Sequence, residues 1–443
     1  MSKIDDYEQI LESLPKGYVA TKKIAGKTYY YLQWREASKV KGTYLPKDKV
    51  SGVLQGISER KRIEKLIKDI KKRDFQRLPT LGKTSNDLTG SVMSGNHVAV
   101  TFEKGVLVSL DKRYAPLFFL HNSNLEAWLA SRAIDRHRPN SRLLKKALRI
   151  TETDDHMIAL KAHGATISDD YWFKPAHSPL KYGDIRFKTD YFANAALKGD
   201  PTALSLDPTL TPELTATGSY EKCWKIIDSS WWMYKNENEL ERFSEYFCYL
   251  LGKKMGLPFA TYELVDSFIR TKNFADKYNF EPMSALVGDD DRFEVVFAGI
   301  LPFSDQVKED YIRLIWFDCL VENVDRHNEN CGLLKDSVTG EIVGLAPNFD
   351  NNLALVANNY PPKNILRTKD GLIEIFKEFV NENKTAGSIF ATMELPPLTD
   401  EMLARCFNMN PIKVDEKVVS QYLKNGYEQL LKIKNNLRSI SRT

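Results

Sequence analysis

Cysteine is scarce. The five in 443 residues (Cys223, Cys248, Cys319, Cys331 and Cys406) form no CxxC pair and no grouping with histidine at zinc-ligand spacing, which argues against a disulfide scaffold and a structural zinc site. They are expected as reduced, buried thiols. No run approaches the roughly 18 apolar residues of a membrane-spanning helix. The acidic first residues lack the basic start and apolar centre of a signal peptide, so a cytoplasmic protein without membrane contact is expected. No internal repeat is present, and charge of neither sign dominates: 63 Lys and Arg face 59 Asp and Glu.

What is there fits a folded, soluble chain. Hydrophobic residues make up 42% and charged residues 28%, ordinary values for globular proteins, and the length suggests two to three domains. The small net charge of +4 hides an uneven distribution. Residues 16–75 carry seventeen Lys and Arg against six Asp and Glu, so the positive charge belongs to an N-terminal module.

In that module, residues 17–34 are rich in β-branched and aromatic side chains with Gly26 as a turn signal, and residues 40–45 add another strand. From Asp48 to about Lys72, apolar residues recur at helical spacing among Arg60, Lys61, Arg62, Lys65, Lys68, Lys71 and Lys72, which predicts a basic amphipathic helix. A polar stretch at 78–86 reads as a linker. Residues 87–200 mix strand-like runs (97–110), a basic helix (141–150) and the cluster Tyr171-Trp-Phe173, an α+β pattern without evident chemistry. Residues 201–300 then give strands around a loop at Gly218, a helix over 239–255 and a strand at 261–265. Residues 301–443 are mainly helical, with helices at 311–321 and 416–437.

The chemistry concentrates late in the chain. Val324-Asp-Arg-His-Asn-Glu-Asn330 places Asp325 and Asn330 five positions apart after an apolar helix, and twenty residues on Asp350, in Ala346-Pro-Asn-Phe-Asp350, follows the short strand-like run 341–347. Phosphoryl transfer needs a carboxylate to orient the attacking hydroxyl, and an amide oxygen and a second carboxylate to hold magnesium on the phosphates; Asp325, Asn330 and Asp350 supply these in order. Upstream, Lys235 ends a strand after the Gly218 loop, with Lys222 and Lys225 as rivals for the phosphate contact, and Glu245 stands on the next helix as its ion-pair partner. Asp135-Arg-His-Arg-Pro-Asn140 repeats the Asp-x4-Asn spacing but precedes the Gly loop and runs into basic residues, so it reads as a solvated helix start.

The motif at 324–330 with that at 346–350 resembles the catalytic and metal loops of the HipA family of serine/threonine kinases. Thr217-Gly-Ser-Tyr-Glu-Lys222 is similar to that family's phosphate loop, and residues 245–258 to its helix running into a Gly-Leu-Pro turn; the similarity spans roughly 183–437. The resemblance implies an α+β, two-lobed protein-kinase-like fold. It implies ATP and Mg2+ as cofactors and transfer to a Ser or Thr hydroxyl of a protein, and in the best-known case a toxin with an antitoxin partner. By the same resemblance Asp325 is the catalytic aspartate, Asn330 and Asp350 are magnesium ligands and Lys235 contacts the phosphates. His327 shapes the loop; Thr217, Gly218, Ser219 and Lys222 belong to the ATP site; Ser219, with Thr217 and Thr215 as alternatives, is the autophosphorylation site. The chain departs from the family in having one glycine in the phosphate loop and the polar pair Asn351-Asn352 after the metal aspartate.

The N-terminal module, with Tyr29, Tyr30, Tyr31 and Trp34 among Lys22, Lys23, Lys27, Arg35, Lys39 and Lys41, loosely resembles the small sheet that some tyrosine recombinases lay in a DNA groove, which implies contact with phosphates. A charged face over an ordinary small core is the other reading. Two further functional readings stay open. One is a small-molecule kinase on the same fold, against which the order Asp-Arg-His-x-x-Asn speaks. The other is a nucleic-acid-binding regulator with an inactive kinase domain, against which the intact set Asp325, Asn330, Asp350 and Lys235 speaks.

Overall fold

The computed structural model describes residues 10–24, 27–36, 39–73, 88–367 and 370–440. The Gly26 turn and the linker expected at 78–86 lie outside the described residues, as do the side chains of Arg62, Lys65, Lys68, Lys71 and Lys72. The chain divides into two compact units, Met1–Gln76 and Arg77–Thr443.

In the first unit β1 (Tyr18–Ile24), β2 (Lys27–Glu36) and β3 (Lys39–Leu45) form an antiparallel sheet in that order, followed by helix α1 (Val50–Arg73). Side chains alternate across a strand, and the registers Lys22↔Tyr29, Tyr31↔Tyr44 and Arg35↔Val40 fix which share a face. One face carries Tyr18, Lys22, Ile24, Lys27, Tyr29, Tyr31, Arg35, Val40 and Tyr44, and the sheet's large apolar side chains that stay exposed, Tyr18, Ile24, Val40 and Tyr44, are all on it. The opposite face holds Leu45, which is buried, as are Ile57 and Ile63 of α1. The same registers place Lys23, Lys39 and Lys41 on that opposite side.

The second unit is a mixed α+β assembly built on three antiparallel sheets. The first, in the order β6-β5-β4-β7, joins β4 (Gly90–Ser94), β5 (His97–Glu103), β6 (Val106–Leu110) and β7 (Tyr171–Pro175). β5 and β6 are joined by Lys104 and Gly105, both at positive φ, the backbone a two-residue hairpin needs to match the strand twist. The second sheet, β10-β11-β9-β8, contains β8 (Lys222–Ile227), β9 (Ser230–Lys235), β10 (Tyr262–Val265) and β11 (Phe268–Lys272). The third consists of β12 (Tyr278–Pro282), β13 (Gly332–Asp336) and β14 (Ile342–Leu345).

The longer helices of this unit are α2 (Glu239–Lys254), α3 (Phe293–Ile300), α4 (Asp305–Val321), α5 (Gly371–Glu382), α6 (Lys384–Thr392), α7 (Asp400–Met409) and α8 (Glu416–Ile440). α2 starts at Asn238, whose side chain accepts the Leu240 and Glu241 N–H groups while Glu241 accepts the Asn238 N–H, a reciprocal cap. Phe243, Phe247, Leu250 and Leu251 form its buried stripe. It packs so closely on Phe259 that a Cβ at Gly252 would overlap the ring, and Gly256, at φ +71°, lets the chain turn away after its last turn. α4 begins six residues earlier than the apolar pattern predicted, because Ser304 caps it. Its second half is buried almost throughout and, with Phe376, Phe390, Tyr422 and Leu423, makes the largest core.

The segments expected at 87–200, 201–300 and 301–443 are tied into this one unit by buried polar bonds. Tyr171 donates to Glu281 at 2.6 Å, the Asp170 N–H to Asn279 at 2.7 Å, and Lys335 to the Ala115 carbonyl at 2.6 Å.

Candidate active site

α4 ends at Glu322, which adopts a left-handed backbone (φ +52°) and turns the chain into the loop carrying Asp325. That loop is self-braced: the His327 N–H meets the Asp325 carbonyl at 2.9 Å, the Asn330 N–H the His327 carbonyl at 2.9 Å, and the Asn330 amide nitrogen the Asp325 carbonyl at 3.2 Å. The last bond spends the Asn330 nitrogen and leaves its oxygen as the atom able to bind a cation. Asp325 is half-buried, and burial raises its pKa while His327 pulls it back. His327 is exposed, with Nδ1 3.2 Å from the Glu329 N–H.

The Asp350 loop is set by backbone pairing. Asn348 bridges the segment after the Gly-Leu-Pro turn, its N–H bonding the Pro258 carbonyl at 2.8 Å and its carbonyl accepting the Ala260 N–H at 3.0 Å. Asp350 itself has φ +60°, a conformation that costs a non-glycine residue energy and occurs preferentially at functional sites. Its N–H donates to the Tyr262 hydroxyl at 2.9 Å.

The two loops are joined by Arg326, to which the motif spacing assigns no role. Its buried guanidinium bonds both Asp318 oxygens (2.9 and 3.0 Å), the Asn330 carbonyl (2.6 Å), the Phe349 carbonyl (2.5 Å) and the side chains of Asn348 (2.8 Å) and Asn351 (2.9 Å). Asn351, noted as a departure from the family, thereby has a structural use. It is fully buried, accepts from Arg326 and gives its N–H to Glu245 at 2.7 Å. Its side-chain polarity serves Arg326, Asn323 and Asn348, while its main-chain N–H ties the Asp350 loop to α2.

Lys235 ends β9 and is buried against the same loop. Its ammonium pairs with Asp350 and lies 3.6 Å from Glu237. Glu245, expected as its ion-pair partner, instead accepts from Asn351 and bonds Tyr262. Burial opposes charging Lys235, yet Asp350, Glu245 and Glu237 hold its pKa well above the usual lysine range. Burial likewise raises Asp350, but Lys235 and Lys222 outweigh it and keep this carboxyl low. Of the rival lysines, Lys225 turns away to Asn194 (2.9 Å) and the Tyr234 ring. Lys222 stays with the site: it pairs with Lys235 across β8 and β9, and burial and then Lys235 push its pKa down to about 8.

Gly218 has φ +95°, and a Cβ there would meet the Lys222 ammonium, so the single glycine of the 217–222 loop sits where backbone and cation come together. Thr217, Gly218 and Ser219 are exposed. Thr215 is buried, its hydroxyl donating to the Ala165 carbonyl at 2.6 Å. Residues 215–220, Lys222, Lys235, Asp325, His327, Asn330, Asp350 and Asn352 line one cleft of about 1110 Å³, with Met233, Phe274, Phe280 and Phe349 as an apolar wall.

Glu237, Glu245 and Asp350 bring carboxylate oxygens within 4.8 Å of one another. Both Glu237 oxygens and one Glu245 oxygen are buried without a hydrogen-bond partner, and burial, moderated by Lys235, pushes the Glu237 pKa up to about 8. Such an under-neutralised oxygen cluster suits a hard divalent cation. Glu237, two residues past Lys235, gave no signal in the sequence beyond its type.

The second Asp-x4-Asn spacing leads into a helix and leaves Arg136, His137 and Pro139 exposed, as a solvated helix start would, except at Arg138. Arg138 is only 2% exposed, and residues 135–140 form a turn against the phosphate loop before a short helix, Ser141–Ala147.

The six basic residues expected at a nucleic-acid surface are all exposed, three on each side of the N-terminal sheet. Lys22 lies 5.4 Å from the centre of the Tyr31 ring, which contacts Tyr44, as Tyr29 does. No described helix is long and apolar enough to cross a membrane.

Residues 2–55 match the model of a family described as a domain of unknown function, DUF6788. No curated protein matches the chain in sequence. Among solved structures the chain is similar to the Helicobacter pylori proinflammatory kinase CtkA, at 17% identity and a TM-score of 0.42, over 50% of this chain and 95% of that one. It is also similar to a chain of the Shewanella oneidensis MR-1 toxin–antitoxin complex of HipA, HipB and operator DNA, at 12% identity and a TM-score of 0.42, over 79% of this chain and 99% of that one.

Proposed function

We propose that the second unit is an ATP- and magnesium-dependent kinase that transfers the γ-phosphate to a Ser or Thr hydroxyl of a protein, its own chain included. The observation that carries this reading is the convergence of Asp325, Asn330, Asp350, Lys235, residues 217–220 and Lys222 on one cleft from four separate stretches of sequence. Lys235 and Lys222 neutralise the nucleotide phosphates, and binding draws Lys235 away from Asp350. Asp350 and the Asn330 oxygen would hold magnesium, with Glu245 and Glu237 contributing carboxylate charge, and the ion would supply charge stabilisation on the phosphates. Asp325, its pKa raised by burial, orients the acceptor hydroxyl and takes its proton. The cleft extends past these residues to Trp128, Arg132 and Asp169, which leaves room for an acceptor larger than a free metabolite. For the first unit, we propose that the face bearing Lys22, Lys27 and Arg35 contacts nucleic-acid phosphates.

Incubation with labelled ATP, magnesium and a whole-cell extract tests the kinase reading, with Asp325→Asn and Asp350→Asn as controls. Each substitution is expected to lower transfer at least about a hundredfold, the usual effect of losing a positioned acid–base or electrostatic group. Wild-type-like turnover in either variant overturns the assignment.

A further inference from the structure

The phosphate loop is held from a distant part of the chain. The Arg138 guanidinium donates to the Ala216 carbonyl at 3.0 Å and, through its other terminal nitrogen, to the Lys222 carbonyl. These two residues bracket the exposed stretch Thr217-Gly-Ser219. Glu213, fully buried, lies 3.8 Å from the same guanidinium and accepts the Trp224 N–H at 2.8 Å, so the chain is fastened just before and just after the loop. A second bond comes from the same turn: the Asn140 amide donates to Glu221 at 2.9 Å. The turn is itself fixed, since Asp135 accepts the His137 N–H at 2.7 Å, its carbonyl the Arg138 N–H at 3.2 Å, and Asn140 adopts φ +65°.

We infer that Arg138, seconded by Asn140, is a positioning residue for nucleotide binding: its two-pronged bond fixes the span from Ala216 to Lys222 and keeps residues 217–221 as a preformed arch over the cleft. A charged side chain is rarely buried without a use for its donors. Here the donors meet main-chain carbonyls six residues apart, a task for the planar fork of arginine and not for the single ammonium of lysine. A loop ordered in advance does not have to be ordered when the ligand arrives, and affinity gains by that amount. The inference rests on the kinase reading for the identity of the ligand. It gives the segment 87–200 a part in the chemistry, because the turn that holds the loop belongs to it.

The test uses the full chain with Arg138→Lys, which keeps the charge beside Glu213 and loses the fork. Two quantities are read. The KM for ATP is expected to rise about tenfold or more while kcat at saturating ATP changes little, as removal of ground-state positioning requires. Cys223, buried next to Lys222, is expected to react with a thiol reagent about tenfold faster through local opening, while the other four buried cysteines keep their rates, each site located by peptide mass spectrometry. A folded Arg138→Lys protein with unchanged Cys223 reactivity, or with unchanged KM, overturns the inference. Asn140→Ala, which leaves the buried charge in place, is expected to shift both readouts the same way by less, and decides the matter if Arg138→Lys does not fold. A wild-type protein that neither binds nor turns over ATP defeats the kinase reading instead, and Cys223 then still reports whether Arg138 holds the loop.

Discussion

Arg326 shows how much of this site depends on one side chain that does no chemistry. It gathers two carboxylate oxygens, two carbonyls and two amide oxygens, so its charge is balanced by Asp318 and its remaining donors are occupied. Removing one partner of a buried pair strands the other, at about 3–5 kcal/mol; Arg326→Ala should therefore lower unfolding stability by that order in denaturant titration. Arg326→Lys is the sharper experiment. It retains a cation for Asp318 but cannot also reach Phe349, Asn348 and Asn351, so the Asp350 loop loosens. Displacement of a reacting group by about 1 Å can cost a hundredfold in rate, and phosphoryl transfer should fall by that order in a protein that still melts cooperatively. Turnover within about threefold of wild type would refute the tether. Asp325, Asn330 and Asp350 are expected together from their types and spacing in the sequence, and the fold brings all three to one cleft. Arg326 was not legible there, because its partners Asn348, Phe349 and Asn351 lie on a separate loop and only folding makes it a bridge. Arg138 was hidden further by standing in a motif whose spacing invited a different comparison.

Among the elements, strands and helices followed their patterns closely while the ends depended on single polar residues. The helix expected at 311–321 runs from Asp305 because Ser304 caps it, whereas the one expected at 416–437 starts where predicted and runs to Ile440. The N-terminal sheet shows what a composition count leaves out. The sequence offered six basic residues as one group, and strand alternation divides them into Lys22, Lys27 and Arg35 beside the exposed tyrosines, and Lys23, Lys39 and Lys41 on the side of buried Leu45. If the tyrosine face meets duplex DNA, three cations displace counterions and the salt slope is about −2.7, roughly a fortyfold loss of affinity between 50 and 200 mM salt. Alanine at Lys22, Lys27 or Arg35 should each flatten that slope by about one unit in fluorescence titrations of the full chain. Alanine at Lys23, Lys39 or Lys41 should leave it unchanged. Equal effects from both sets would mean that the charge acts diffusely and that the face has no special part.

Taken over its full length, the chain was read as four consecutive pieces, and it folds as two. The first unit ends close to where the excess of basic residues in the sequence ends. The boundaries expected near 200 and 300 are crossed by bonds between residues more than a hundred positions apart, which no local pattern reveals: Tyr171 with Glu281, Asp170 with Asn279, Lys335 with Ala115. This predicts opposite fates for two truncations. Residues 77–443 contain every proposed catalytic and cation-binding residue together with the largest cores, so this fragment should express as a folded protein and keep the phosphoryl transfer of the full chain within about threefold. Residues 201–443 would lose the partners of Glu281, Asn279 and Lys335, all of them buried, and each stranded buried polar group costs about 1–3 kcal/mol or more. Three such losses, added to exposure of the apolar surface that the first sheet and its helices cover, are comparable to the whole stability of a typical domain. Differential scanning calorimetry of the two fragments decides the point: a cooperative transition and nucleotide turnover in 201–443 would show that the kinase part stands alone, and that the segment before it is an attachment and not a wall of the site.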